Sequence, residues 1–587
     1  MKGPPAPTPR HGTLLEVLAA AASHVSGVTF LDLREREVAI SWAEILGRAR
    51  RVAGALVGRG VGSGDRVAIV LRTEPAFLDA FFGAALAGAV PVPLYPPVRL
   101  GRLEEWIGSS ARMVAAAGAR ILVSGGASQR LLGEVVARAR PPLGLVSAQE
   151  LLRAPALARS SSPDDLGLVQ FSSGSTVDPK PVALTHRAIL SQVAALTALC
   201  QPTPEDVLVS WLPLYHDMGL IGGLLAAASY PGPLVLIPPE HFLARPGIWL
   251  RAIGRYRGTI SAAPSFAYSY CADRVADEEL QGLSLASWRL ALDGAEPVSP
   301  RALRRFADRF ERHGLDPRSL CPVYGLSEAA LAVTFSPRRW PPRASLVDAR
   351  GLALSGEVRL GSREVMSVGS PVPGAEVEVR DDEGRPLPTG WLGRVFVRSP
   401  SLMREYLGQP EATDEVLREG WLDTGDLGFT EAGELYLHGR ASDAVVIRGA
   451  SHAPEEFEAA LEGLAGLRAG CCAALGVEDD DGVEGLVVLA EREQGGEAGR
   501  DGERAAAAAR AVTERTGVAP REVRILEPGT LPRTSSGKMR RSEARHRLAS
   551  GTLLAPDGVS ALGLAGQMAR SAWALARARR AGEPDAS

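Results

Sequence analysis

The sequence predicts an α/β fold. A large N-terminal domain of layered, mainly parallel sheets with helices spans residues 1–440, a small α+β C-terminal domain spans 441–550, and a tail with a possible helix spans 551–587. Three observations lead there. Helical and β-rich apolar runs alternate to about residue 440, the pattern of parallel strands joined by crossover helices. The composition then shifts, with "EDDDG" (Glu478–Gly482) and an Ala/Arg/Glu-rich run marking loop and exposed helix. The 587 residues also exceed one domain of roughly 100–200 residues.

In order along the chain, Leu14–Ala22 and Trp42–Val57 carry apolar residues at three- and four-residue steps and are expected to be helices. "GRGVGSGDRVAIVL" has dinucleotide-like glycines, but in the order helix, glycines, strand (Arg66–Leu71). That order excludes the strand–glycine–helix fingerprint and leaves helix caps and a turn. "PAFLDAFFGAALAGAVPVPLYPP" supplies the next helix and strand. Met218–Pro239 is uncharged and long enough to suggest a membrane span, but "SYPGPL" breaks it, predicting a helix, a turn and a short strand. In the tail, Leu562–Arg580 reads as a solvated Arg/Ala helix.

Lys+Arg 65 against Asp+Glu 68 leaves a formal charge of -3, without the basic field of a nucleic-acid binder. Five cysteines (Cys200, Cys271, Cys321, Cys471, Cys472) show no metal-ligand spacing and are expected to be reduced. The opening "MKGPPAPTPRHG" is not a secretory signal, so a soluble cytoplasmic protein without a transmembrane segment is expected.

"LVQFSSGSTVDPKPVALTH" (Leu168–His186) has the layout of a phosphate-cradling loop. Ser172, Ser173, Gly174, Ser175 and Thr176 offer hydroxyls and N–H groups, and Lys180 offers charge, but the Walker A spacing is absent. "VYGLSEAALAV" places Glu328 after a strand and a glycine turn, where a carboxylate can hold Mg²⁺ against phosphate oxygens. "WLDTGDLGF" places Asp426 after a Thr-Gly turn, suited to ribose hydroxyls. "LPRTSSGKMRR" places Lys538 after a second Ser/Gly loop. Each has an ordinary structural alternative: Glu328 a helix cap, Asp426 a turn acid, Lys538 a surface charge.

Together and in order, these segments resemble the adenylate-forming superfamily of acyl-CoA synthetases, luciferases and peptide adenylation domains, from about Gly12 to Leu548. "SWLPLYHDMGLIGG" (Ser210–Gly223), "PVPLYPP", "APSFAY", "LDGAEPV" and "GRASDAVVIRGASHAPEEFE" are similar to the fatty acyl-AMP ligases. The resemblance implies ATP and Mg²⁺ as cofactors and a mobile C-terminal domain. Ser172–Thr176 with Lys180 would hold the pyrophosphate end of ATP. Gly294, Ala295 and Glu296 with Tyr324, Gly325, Leu326 and Ser327 would flank the nucleotide. Glu328 would bind Mg²⁺, Asp426 and Arg440 the ribose, and Asp443 would be the hinge. Lys538 would reach the fatty carboxylate and the α-phosphate. His216 would join Lys538 and Glu328 in catalysis, and His216, Asp217, Met218, Gly219, Ile221, Ser265 and Phe266 would meet the fatty acid.

Three positions depart from the family pattern: Pro181 and Ala330, where glycine and threonine are usual, and Ser265, where asparagine is usual. The segment Pro341–Gly374 resembles the insertion that, in the ligases, restrains the small domain and disfavours CoA as acceptor. The tail shows no phosphopantetheine site, so the resemblance implies an acyl carrier protein in trans, of the kind found in polyketide or nonribosomal peptide synthases. Arg540, Arg541, Arg545 and Arg547 form either a basic face for that carrier or a solvated helix face. An acyl-CoA synthetase and a catalytically silent nucleotide or lipid binder are the competing readings.

Overall fold

The structure, a computed structural model, describes residues 1–97, 100–172, 179–447, 450–478, 484–534, 538–556 and 561–581. The expected early elements form with local causes. Thr13 Oγ1 accepts from Glu16 N (3.3 Å) to start the helix Leu14–Ala21, and Ser41 Oγ accepts from Glu44 N (3.1 Å) to start Trp42–Gly58. Gly60 (φ 90°) and Gly64 (φ 75°) then turn the chain into the strand Arg66–Val70, as helix-end and turn glycines do.

The first sheet is wholly parallel, in the order Val90–Leu94, Arg66–Val70, Ala119–Ser124, Leu145–Ser147. Val90–Leu94 is buried at all five positions, as a parallel strand covered on both faces must be. The second sheet has nine strands. Its centre runs Leu320–Gly325, Leu290–Asp293, Ile260–Ala263, Leu208–Ser210, Leu234–Leu236, Gly27–Leu31, all parallel. Antiparallel strands close both of its edges. The "mainly parallel" expectation stops before residue 376. Glu376–Arg380, Gly393–Arg398, Trp421–Glu431 and Glu434–Arg440 pair antiparallel with their neighbours in chain order, the last two through a tight turn at Ala432–Gly433, and form an antiparallel sheet.

After Arg440 the chain builds its own small sheet, Leu467–Glu478, Glu484–Arg492 and Glu522–Leu526, with Asp501–Thr516 packed on it. The run after Met218 forms a helix with a π turn at Leu220–Leu225, a turn, and the strand Leu234–Leu236. Among the described residues, no helix is long and apolar enough to cross a membrane. The five cysteines are free thiols.

Two surface expectations are overturned. The tail helix, Ala561–Ala581, is not solvated all round: Leu564, Met568 and Leu575 pack against the apolar cluster that includes Leu132, Val135 and Val136, and the helix lies against Gly133–Ala139. The 540–547 basic cluster is not a free cationic face. Arg541 pairs with Glu455 (2.8 Å), Glu458 (2.7 Å) and Asp443 (3.5 Å), and Arg547 pairs with Glu105 (2.9 Å) and Glu543 (2.6 Å). Acids brought in by the fold neutralise both.

Candidate functional site

Adjacent parallel strands all release their next residues at the same edge of the nine-stranded sheet, the place where such sheets hold ligands. Leu208–Ser210 leads to His216–Met218, Ile260–Ala263 to Ser265 and Phe266, Leu290–Asp293 to Gly294–Glu296, and Leu320–Gly325 to Leu326–Glu328. Side chains separated by more than a hundred residues therefore line one cleft, with a cavity of about 2510 Å³ that continues between the N-terminal sheets and the C-terminal unit.

Asp426 is buried and held from two sides. Tyr324 Oη donates to its Oδ2 (2.6 Å), and Arg440 Nε lies 2.9 Å from its Oδ1. The antiparallel register places Asp426 directly opposite Arg440. The Asp426 charge raises the pKa of Arg440, while burial and Asp426 push the Tyr324 phenol well above its usual range. Ser327 Oγ donates to Asp217 Oδ2 (2.7 Å). Tyr406 Oη donates to Glu328 Oε1 (2.9 Å), and Lys180 Nζ sits 4.7 Å over the Tyr406 ring. Tyr406 reaches Glu328 because its strand, Glu405–Tyr406, pairs with Pro181–Thr185 just beyond the Ser/Gly loop.

The loops are tightly built. Ala295 (φ 73°) and Ala330 (φ 63°) hold left-handed backbone that non-glycine residues seldom adopt. Ala330 is fully buried at that strained position, where a β-branched threonine would be still less suited. A Cβ on Gly325 would lie 1.7 Å from the Leu331 carbonyl oxygen, so only glycine fits there. Ser265 Oγ donates to the fully buried Asp293 (2.6 Å) and accepts from Ser299 N (3.2 Å), which gives this departure a local partner. Pro181 opens its strand, where a missing N–H is tolerated.

Lys538 belongs to the C-terminal unit yet lies in this cleft, in the field of Asp217, Glu296 and Asp426 and opposed by Arg440. Burial lowers its pKa and the three carboxylates oppose that shift. Burial also brings His216 down to about 4, with Lys538 acting in the same direction, so its imidazole is neutral at pH 7. Burial raises Glu296, against the N–H of Phe266, which donates to its Oε1 (2.6 Å), and the charges of Lys538, Arg533 and Arg541. Asp443 lies in the short turn Ala441–Asp443 between the two sheet systems, within 3.5 Å of Arg541.

Most of the sequence-derived residues converge, and a few do not. Met218 faces the cleft with Gly222 and Ala226, whereas Ile221 is fully buried in the core and Gly219 packs against Pro213. Four-residue steps put 218, 222 and 226 on one face, so Ile221 and Gly219 are not wall residues. Gly294 stands behind the wall, its Cβ position 2.7 Å from Val323 Cγ2. Ser173, Gly174, Ser175 and Thr176 lie outside the described residues. Ser172 Oγ accepts from Lys180 N (3.2 Å) at the loop's neck. Tyr406 and the Arg541–Glu455–Glu458 cluster were missed from sequence; "REYLG" offers only an aromatic beside charges as a signal.

The model of the AMP-binding enzymes matches residues 18–407, the segment that carries most of this cleft. The chain belongs to the AMP-binding enzyme family. A protein of Caulobacter vibrioides named a candidate acyl-CoA synthetase is 35% identical, over 92% of this chain and 96% of its own. The medium-chain-fatty-acid–acyl-carrier-protein ligase JamA of Moorena producens is 30% identical, over 93% and 96%. A solved structure from work on the fatty acyl-adenylate ligases of E. coli and L. pneumophila superposes with a TM-score of 0.87 at 31% identity, covering 93% of this chain and 99% of that one. This AMP-binding enzyme is therefore an adenylate-forming enzyme of the fatty acyl-AMP ligase type, and ATP is its adenylate source.

Proposed function

We propose that the enzyme joins a fatty acid to AMP with release of pyrophosphate. It then passes the acyl group to the phosphopantetheine thiol of an acyl carrier protein supplied in trans. The observation that carries this reading is Lys538, delivered by the C-terminal unit into the cleft that holds Asp217, Glu296 and Asp426. The division into 1–440, a movable 441–550 and a tail belongs to the same reading.

In the first step a carboxylate oxygen attacks the α-phosphorus, and the bond to pyrophosphate breaks with its electron pair. Anion approaches anion, so fixed positive charge at the meeting point lowers the barrier. Lys538 supplies that charge. Asp426, preset by Tyr324 and Arg440, accepts from the ribose hydroxyls. Lys180 and the loop at 172–176 hold the departing phosphates. Met218, Gly222 and Ala226 supply an apolar wall, where each methylene buried contributes ~0.8 kcal/mol.

Glu328 fits a Mg²⁺ ligand. It is a hard carboxylate fixed through one oxygen by Tyr406, and among the described residues no group of three or more His, Cys, Asp or Glu could hold a metal. A single carboxylate completed by substrate phosphates suits Mg²⁺. When bound, the ion would neutralise phosphate charge.

In the second step a thiolate attacks the acyl carbonyl and AMP leaves; the thiol proton goes to solvent. The names of JamA and of similar ligases support a carrier acceptor. The 341–374 segment supports it too: Ala349–Ser355 packs by the strand Ala450–His452, and Arg363 lies 3.3 Å from Glu456. The name of the C. vibrioides relative favours a second reading, acyl-CoA formation. The test is ATP–pyrophosphate exchange across a fatty acid series, followed by trapping with CoA or a holo carrier protein. Exchange with a fatty acid and transfer to the carrier are expected. No exchange with any acid overturns the reading, and efficient acyl-CoA formation by the intact chain moves it to the synthetase.

A further inference from the structure

The helix Ala561–Ala581 follows the C-terminal unit in sequence but docks on the N-terminal region. The helix Gly133–Ala139 begins after Leu132, whose side chain cannot cap it. Ser571, 1% exposed, supplies the missing acceptor from 438 residues away: Gly133 N donates to its Oγ at 2.8 Å. Gln567, 4% exposed, donates to Glu134 Oε1 at 2.9 Å. A Cβ on Gly133 would lie 1.8 Å from the Ser571 carbonyl oxygen, so the two helices meet backbone to backbone. This is a built interface rather than a helix resting on a surface.

The unit carrying Lys538 is thereby attached at both ends. One attachment is the turn Ala441–Asp443. At the other, Arg102 Nη2 donates to the carbonyls of Gly529 (3.1 Å), Thr530 (3.0 Å) and Leu554 (3.4 Å), and Arg547 pairs with Glu105 (2.9 Å). The chain from Pro556 to the start of the docked helix at Ala561 spans at most about 18 Å even fully extended. A rotation about 441–443 that carries Pro556 beyond that reach must pull the tail helix off.

We propose that the tail helix is a strap that holds the C-terminal unit in the orientation that places Lys538 in the cleft. Acyl transfer then proceeds only as fast as the strap yields. This rests on reading Lys538 as an adenylation residue. The strap biases the enzyme toward adenylate formation and retention until a carrier is present.

The test uses two full-length variants. One carries about ten Gly and Ser residues inserted between Pro556 and Ala561, which slackens the strap without touching its interface. The other is Gly133→Leu, which undocks it. Transfer from preformed acyl-AMP to a holo carrier thiol should rise on the order of fivefold or more in both. Hydrogen exchange should show 561–577 still protected in the first and exposed in the second, with amides at 538–549 less protected in both. A slackened variant with wild-type transfer and wild-type protection at 538–549 overturns the strap, and the helix is then only a cap for Gly133–Ala139. If the intact chain shows no pyrophosphate exchange with any acid, the adenylation reading has failed, and the hydrogen-exchange comparison still decides whether the strap holds the unit.

Discussion

Lys538→Ala should abolish most adenylation while leaving ATP binding nearly intact. In the structure Lys538 is a cation from the C-terminal unit that lies in the field of Asp217, Glu296 and Asp426. The ATP contacts assigned to Asp426, Arg440 and Tyr324 come from other strands and survive the change. At about 4 Å and an effective dielectric near 20, removing one unit charge facing another costs about 4 kcal/mol. That corresponds to a factor of about 10³. It agrees with the ~10²–10³ lost in kcat when one preorganised contact to developing charge is deleted. The charge matters most where two anions meet, so the loss should fall on kcat more than on ATP affinity.

Two assays on one variant test this: pyrophosphate exchange at saturating ATP, and ATP binding by calorimetry. Transfer from preformed acyl-AMP to a thiol should be retained. Burial lowers the Lys538 pKa, so wild-type exchange should also fall on its alkaline side at a pH below the 10.5 of a free lysine, and the variant should lack that limb. A variant with near wild-type exchange would refute the reasoning and show that Lys538 lies in the cleft without acting on the reacting groups.

Tyr406→Phe removes the phenol that fixes Glu328 at 2.9 Å and should raise the Mg²⁺ concentration needed for half-maximal exchange about 10- to 100-fold, with little change in Tm. An unchanged Mg²⁺ titration would show that Tyr406 does not orient the metal ligand. Acid should destabilise the fold through its neutral buried histidines, His186 (pKa about 4) and His438 (pKa about 3), both lowered by burial. The unfolded chain binds these protons from about pH 6.5 and the folded chain does not. Stability present above pH 6.5 is therefore lost as pH falls toward 4, at up to about 1.4 kcal/mol per pH unit for each histidine. Tm followed from pH 7.5 to 4.5 checks it, and a flat profile would show that both rings protonate in place.

Local pattern carried much of this protein. Apolar residues at three- and four-residue steps marked the helices Leu14–Ala21 and Trp42–Gly58, and glycines marked the turn into the strand Arg66–Val70, because period and turns are settled by neighbours in the chain. Glu328 and Asp426 stood out because each sits in a short motif whose residue types suit phosphate-bound Mg²⁺ and ribose hydroxyls, and Lys538 because it follows a second Ser/Gly loop; its role toward a carboxylate came from the family resemblance alone. Facing and pairing were decided elsewhere. Gly222 rather than Ile221 meets the cleft because the core took the other side of the helix. Tyr406 reaches Glu328 only because its strand pairs with Pro181–Thr185. Arg541 stopped being a surface cation once Glu455, Glu458 and Asp443 closed on it. The tail helix was legible as a helix from its own period, but Ser571 finds Gly133 only through contacts between segments hundreds of residues apart. Such contacts depend on shape and charge complementarity after folding, which no local period in the sequence records.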